Sequence, residues 1–396
     1  MIKDRNFICI STSQWEGDFA KTIVELISVV ARNNKVLYVD YQFTIKDMVF
    51  SLFGKSEAPI SRMLGLKNRV RKMQVEGGHF VYLLTPPPIL PINFLPNGFL
   101  YRTLLKFNGW QIARAARKAL KKHGLEKDLI NITAFIPALG VVTAGKFNEK
   151  TILYHCYDEI EAAAWLKKHG GRHEKDFMQM ADAVITTSEG LYRVKKEFAK
   201  RCFLVKNAVN FDLFKEGLTE VDTPVKKTIG YIGSIDDRVD YDLLEYLISE
   251  MKDHEFDFVG RLNYEEGKKR LSKFNNVKLS GPRPVTELPK VLKTFSVGII
   301  PFVKNEFTKG IYPLKINEYL AAGLPVVMTH FSILDDFIHI ASIAEDKYAF
   351  LQMVEAELKN DTMELKRKRQ AFAAENSWEA RVDEISVIIE ELEKGR

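Results

Sequence analysis

The chain is poor in cysteine. Its three, Cys9, Cys156 and Cys202, are too few and too scattered among 396 residues for a disulfide framework or a cysteine zinc site, and a reducing, cytoplasmic compartment suits them. With 14 prolines and 23 glycines there is no collagenous or low-complexity tract. Long apolar runs are also missing. The richest stretch, VYLLTPPPILPINFLPNGFLY (81–101), holds five prolines, which no bilayer-spanning helix tolerates. The opening MIKDRNFICIS has too short an apolar run for a secretion signal. Two nucleotide signatures are absent as well. The first candidate loop, STSQWEGD, has no GxGxxG, which argues against a nicotinamide or flavin enzyme; no GxxxxGK[ST] occurs, which removes a P-loop NTPase.

What is present is ordinary globular composition, 46% hydrophobic and 28% charged, at a length that accommodates two domains. The net charge of +6 is uneven: residues 1–125 hold 19 Lys and Arg against 8 Asp and Glu, leaving the remainder net acidic. A basic first third implies an anionic partner on that side. Arg114, Arg117, Lys118 and Lys121 recur at helical spacing, and with MLGLKNRVRKM (63–73) they form either a solvated face or a dock for anionic lipid. No basic strand interleaved with aromatics appears, so nucleic acid is not an expected partner.

NFICIS (6–11), a helical pattern over 19–34 and KVLYVD (35–40) make a strand–helix–strand unit, read as parallel. Further strands are expected at 132–136, 151–155, 183–188 and 202–207. A second series follows at 228–233, 256–260, 277–281, 297–302 and 325–329. The pattern predicts two successive α/β domains, 1–206 and 207–377, joined near 207–224, with only helix after residue 345. Ligands of such sheets bind where strands end and loops enter helices. Two sheets facing across a cleft suit an enzyme that joins two substrates.

The strongest motif is FVKNEFTKGIYPLKINEYLAAGLPVVMTH (302–330). Pro313 opens a helix, whose positive end favours phosphate. The loop ahead of it is expected to bring Thr308, Lys309 and free backbone N–H groups there. Lys315 adds a formal charge, and Glu318, one turn on, is placed to accept two ribose hydroxyls. The alternative, a surface helix packing Ile316, Tyr319 and Leu320, leaves a lysine at the helix's positive end unexplained.

PLKINEYLAAGLPVV resembles the nucleotide-sugar signature of GT-B glycosyltransferases, of the retaining group commonly called family four, and in particular bacterial surface-polysaccharide enzymes of the teichuronic-acid type. The segments 154–165, 181–192, 205–214, 229–244, 281–302 and 377–382 resemble that family in the same order. The resemblance implies a GT-B fold of two Rossmann-like domains, with a last helix (378–396) crossing back to the first. It implies a nucleoside-diphosphate sugar, UDP-linked, as donor on the second domain, and a glycan or lipid-linked acceptor on the first. Metal and other cofactors are not expected. In the family's Glu-x7-Glu pattern Glu318 matches the second Glu, whereas Gly310 stands in place of the first. Retention of configuration is implied by the group.

The resemblance also places Thr308, Lys315 and Arg238 at the diphosphate, with Ser234 where an arginine is common, and Gly233 beside it. Gly17, in the loop after the first strand, matches a glycine loop facing the donor; Asp18 beside it is alternatively a helix cap. Arg261, Arg283 and Pro284 follow successive strands and either line the nucleotide pocket or are solvated. His155 and Asp158, after a strand, are candidate catalytic groups, Asp158 alternatively a cap. His169 and His173 read as surface, and Asp240 with Asp242 as helix capping rather than metal ligands. Other functions open to this architecture are a sugar-nucleotide epimerase or phosphorylase, and a non-catalytic binding partner.

Overall fold

The computed structural model describes residues 1–17, 21–162, 166–220 and 228–395. Two compact units form, one of Met1–Gly17, Lys21–Lys206 and the chain from Arg381 onward, the other of Asn207–Ala380. Asp18, and the end of the expected join at 221–224, lie outside the described residues.

The first unit holds β1 (Asn6–Ser11), β2 (Lys35–Val39), β3 (Val70–Gln74), β4 (Phe80–Leu84), β5 (Leu129–Ala134), β6 (Thr151–Cys156), β7 (Ala183–Thr186) and β8 (Cys202–Leu204). They form one sheet in the order β3-β4-β2-β1-β5-β6-β7-β8, parallel except that β3 runs against β4. The central strands are near-continuous apolar runs because helices cover both faces. In β1 every residue from Phe7 to Ser11 is buried.

The second unit holds β9 (Thr228–Ile232), β10 (Glu255–Val259), β11 (Val277–Leu279), β12 (Val297–Ile300), β13 (Val326–Thr329) and β14 (Ser342–Ala344), all parallel, in the order β11-β10-β9-β12-β13-β14. The order of the parallel strands reverses between β1 and β5 in the first sheet and between β9 and β12 in the second. Doubly wound sheets bind ligands at that reversal, beyond the carboxyl ends of the strands. No described helix is long and apolar enough to cross a membrane.

Three strands escaped the sequence reading: β3, β4 and β14. β3 is a half-exposed edge strand whose sequence VRKMQ shows no apolar face. β4 was hidden in the proline-rich apolar stretch, and β14 has three residues at an edge. The helix Trp378–Lys394 supplies most of the late segment of the first unit. Ile2 donates its N–H to Ser386 Oγ at 2.9 Å, and Arg5 forms a two-pronged pair with Glu393.

Two buried polar features stiffen the first unit. Lys195 is 3% exposed and reaches Glu174 at 2.8 Å and Glu159 at 2.7 Å, while Tyr154 donates its hydroxyl to Glu174 at 2.9 Å. Burial pushes the Glu174 carboxyl up, and the ammonium opposes it. His169 and His173 are a correction to the surface reading. Gly170 does not break a helix but begins one, Gly170–Met180, and His173 is buried with its Nε2 at 2.9 Å from the Tyr101 hydroxyl. His169 stacks on the same tyrosine at 4.0 Å. The Tyr101 ring is the apolar surface that draws both in.

His155 is likewise inside the fold, 2% exposed on β6 between β5 and β7, with Nδ1 lacking a hydrogen-bond partner. Burial lowers its pKa from 6.5 to about 4. Between those values the unfolded chain takes up a proton that the fold refuses, so stability falls as pH drops through that window. Urea unfolding across it is expected to show about 3 kcal/mol of acid loss that His155→Leu abolishes. An unaltered pH profile in the variant would refute the assignment. Lys195→Ala is expected to cost about 3 kcal/mol in the same assay at neutral pH, because it strands Glu174 in the interior.

Candidate functional site

The second unit's site grows from the parting of β9 and β12. These strands share only two register pairs, Val297 with Ile229 and Gly298 with Gly230. Beyond them the β9 backbone needs other partners. Ile232 donates its N–H to the phenol oxygen of Tyr319 at 2.8 Å, and Gly233 donates to Val259 of β10 at 2.9 Å. Tyr319 lies on the helix Leu314–Ala321, which follows β12, so that helix is fastened at the reversal point. Close approach of backbone fixes the glycines: a Cβ on Gly260 would sit 1.8 Å from the Gly233 carbonyl oxygen, and Gly233 itself has φ +112°.

Lys315, in the first turn of that helix, extends back over this loop. Its Nζ stands 3.6 Å from the Tyr231 ring centroid and 5.0 Å from that of Phe302. A Cβ on Gly233 would come within 3.0 Å of it, so the glycine also clears room for the amine. Resting on a desolvated ring face is worth about 2 kcal/mol to a cation. Burial and the nearby Arg238 charge nevertheless push the lysine pKa well down, partly opposed by Glu318 and Asp236. A concentrated positive charge at a strand-end glycine turn and helix N-terminus is a site for an anion.

Arg238 is locked by Asp236, which accepts from its Nε at 2.8 Å and its Nη2 at 2.5 Å. The guanidinium lies 5.6 Å from the Phe302 ring centroid. Its loop is stitched on both sides: Val303 donates to the Arg238 carbonyl at 2.8 Å and Ile235 to the Arg261 carbonyl at 2.9 Å. Glu318 is buried one turn past Lys315 on the same helix. The structure therefore gathers Gly233, Arg238, Lys315 and Glu318 at the β9/β12 reversal. Ser234 belongs to the same turn, its carbonyl accepting from the Tyr231 hydroxyl at 2.7 Å.

Thr308 is a correction. It is wholly buried, and its hydroxyl donates to the Val303 carbonyl at 2.6 Å and accepts from the Asn305 N–H at 3.0 Å. Asn305 Oδ1 returns the contact by accepting the Thr308 N–H at 2.9 Å. The loop N–H groups expected to be free are likewise engaged: Lys309 donates to Asn305, Gly310 to Phe307 and Ile311 to Thr308. A reciprocal Asn–Thr box closes this segment on itself, so Thr308 shapes the loop rather than offering its hydroxyl. Lys309 is exposed and pairs with Glu306.

Arg261 is exposed just after β10, beside the stitched loop; Arg283 and Pro284 are exposed after the edge strand β11, away from the reversal. Asp240 caps the helix Tyr241–Glu250 by accepting from Leu243 N–H at 2.9 Å, and Asp242 pairs with Arg270. Asp236, Tyr231, Phe302 and Gly260 were missed by the sequence reading. Asp236 was signalled only by lying two residues before an arginine in a turn.

In the first unit, Gly17 is exposed in the loop after β1, with φ +136°. Lys21 ties that loop by donating to the carbonyls of Gln14 and Glu16 at 2.6 Å each. Asp158 lies in the loop after β6, partly buried, followed by a single 3-10 turn, Ile160–Ala162; residues 163–165 of the expected helix lie outside the described residues. His155 is displaced from the catalytic role expected of it, because its ring is enclosed within the sheet and cannot exchange protons with a substrate.

Comparison with known proteins finds relatives of this chain. Residues 226–356 match the family Glycosyl transferases group 1. A putative teichuronic acid biosynthesis glycosyltransferase, TuaH of Bacillus subtilis strain 168, is 27% identical over 168 residues, which span 40% of this chain and 42% of that protein. Among solved structures, sucrose-phosphate synthase from Thermosynechococcus elongatus superposes with a TM-score of 0.69 at 16% identity, covering 99% of this chain and all of the other. Anabaena HepE, solved in complex with UDP and glucose, superposes at 0.64 and 11% identity, covering 98% of this chain and all of its own. The chain thus has the GT-B fold, and residues 226–356 of its second unit are similar to the Glycosyl transferases group 1 family.

Proposed function

We propose that the chain transfers a sugar from a UDP-sugar to a hydroxyl of a glycan or lipid-linked acceptor in bacterial surface-polysaccharide synthesis, at the cytoplasmic face of the membrane. The second unit holds the donor and the first takes the acceptor. The observation that carries this reading is the partly buried Lys315 ammonium on the Tyr231 face, beside Gly233 and near Arg238, with Glu318 one turn along. The kinship with TuaH supports the pathway, and the UDP complex of HepE supports the nucleotide.

In this reading the bond from the anomeric carbon to the diphosphate oxygen breaks, the acceptor oxygen bonds to that carbon in its place, and the acceptor's proton passes to the departing diphosphate oxygen. Negative charge grows on the departing diphosphate. Lys315 and Arg238 oppose that charge without reorganising, because Tyr231 and Asp236 already hold them in place. Those two cations do what a metal would otherwise do, so the proposal includes none. Glu318 takes the ribose hydroxyls. Asp158 is the group proposed to face the reacting sugar, and retention is proposed on the resemblance of PLKINEYLAAGLPVV to the retaining group, with Gly310 leaving the donor sugar one carboxylate fewer.

Lys315→Ala and Glu318→Ala are each expected to weaken UDP binding about tenfold or more by calorimetry, with the urea midpoint little changed. Native affinity for UDP in both would reject the site. Incubation with UDP-sugars tests the reaction itself: transfer to a glycan acceptor is expected, and interconversion of the donor without acceptor overturns it.

The lysine also sets a pH dependence. Its pKa in the free protein is held below the ordinary 10.5, and a bound diphosphate raises it again. Binding therefore takes up a proton wherever the free amine is neutral, and affinity for UDP falls as pH rises from the lowered pKa toward 10.5. Calorimetry in buffers of different ionisation enthalpy is expected to register this uptake in the native protein and to lose it in Lys315→Met.

A further inference from the structure

A second charged site lies wholly in the first unit, apart from the donor residues. The turn before β3, the end of β4 and the helix Phe99–His123 line an open pocket of about 640 Å³. Five cations line it, Lys67, Arg69, Arg114, Lys118 and Lys122, and among the described residues no carboxylate does. Among the described residues Lys67, Arg69, Lys118 and Lys122 have no acidic partner, and burial presses down the pKa of Arg69. Gly65, at φ +77°, makes the turn that folds Arg69 back: a Cβ there would meet its Nε at 3.3 Å.

The rim is as telling as the charge. Leu66 is 78% exposed, and Trp110 and Leu64 are each 50% exposed. On the helix, Phe107, Trp110, Arg114 and Lys118 follow one another at spacings of three and four, so a single exposed stripe passes from aromatic to basic. Phe107 and Trp110 stack at 6.0 Å, and Arg114 lies 5.5 Å from the Trp110 ring. A soluble phosphate would need only the cations. Large apolar side chains standing in water beside an unpaired basic pocket match a bilayer surface, where rings and leucines enter the interface and cations meet headgroup phosphates.

We propose that this pocket and stripe dock the protein on an anionic membrane, with a lipid headgroup phosphate seated among Arg69, Lys118 and Lys122. The proposal does not depend on the donor site, and Lys315→Ala is expected to dock as the native chain does.

The test is co-sedimentation of the full chain with vesicles of phosphatidylcholine, with and without phosphatidylglycerol. Binding is expected only with the anionic lipid and is expected to weaken with salt. Removing each pocket cation is expected to cost roughly fivefold, so the triple variant Arg69→Ala, Lys118→Ala, Lys122→Ala loses about 100-fold. A control that removes the same charge from exposed positions of the second unit, Lys268→Ala, Lys269→Ala, Lys273→Ala, is expected to bind as native; circular dichroism checks the fold of both. Trp110→Ala is expected to weaken binding while leaving its salt dependence intact. The proposal is overturned if the pocket variant binds like the native chain, or if neutral vesicles bind equally well. It is overturned too if inorganic diphosphate raises the melting temperature through these cations while no vesicle is bound, which would assign the pocket to a soluble ligand.

Discussion

β9 and β12 stay paired for only two residues and then separate, and the chemistry of the second unit hangs on how the bared edge of β9 is satisfied. A buried N–H without a partner costs as much as a lost hydrogen bond, so some group must meet Ile232. A tyrosine from the next helix does so. Because the residue that completes the ladder and the residue that brings the charge share one helix, Tyr319 and Lys315, sheet geometry and cation placement are set together. Displacing that helix would unpair backbone and move the ammonium in one step.

The same economy appears around Arg238. Its carboxylate partner and its stitched loop leave it one orientation, and its charge weighs on Lys315. Two like charges held close cost stability in the free protein, and an anion between them returns that cost as affinity. Such prestressed electrostatics suits a site for an anion.

Much of this was legible in the sequence, where the information is local. The proline-started helix, the lysine in its first turn and the acid one turn later follow from helix geometry alone, and the structure puts them at a strand-order reversal. Alternating apolar runs and helical patterns were enough to indicate two doubly wound sheets. The failures were of two kinds. Asn305 and Thr308, spaced by three, form a reciprocal box whose residue types were visible in the sequence, yet the threonine's hydroxyl reads equally well as a ligand until its partner is seen. His155 sits in an unbroken apolar run, TILYHC, which implies burial on both faces; a titratable residue in such a run belongs to the interior. The shelf under Lys315, Tyr231 and Phe302, comes from β9 and from the segment just past β12, and no spacing rule connects them.

The first unit has a peculiarity of assembly. Its final structural element is the helix Trp378–Lys394, whose Ile385, Ile389 and Leu392 are buried and whose Ser386 and Glu393 hold Ile2 and Arg5. On a ribosome, which emits the chain from its amino end, that helix appears only after all of the second unit has been made. The earlier half must wait, incompletely held at Ile2 and Arg5, while the later half can already finish. The part synthesised first is thus the part completed last, and a prematurely terminated message would yield a finished second unit joined to an unfinished companion.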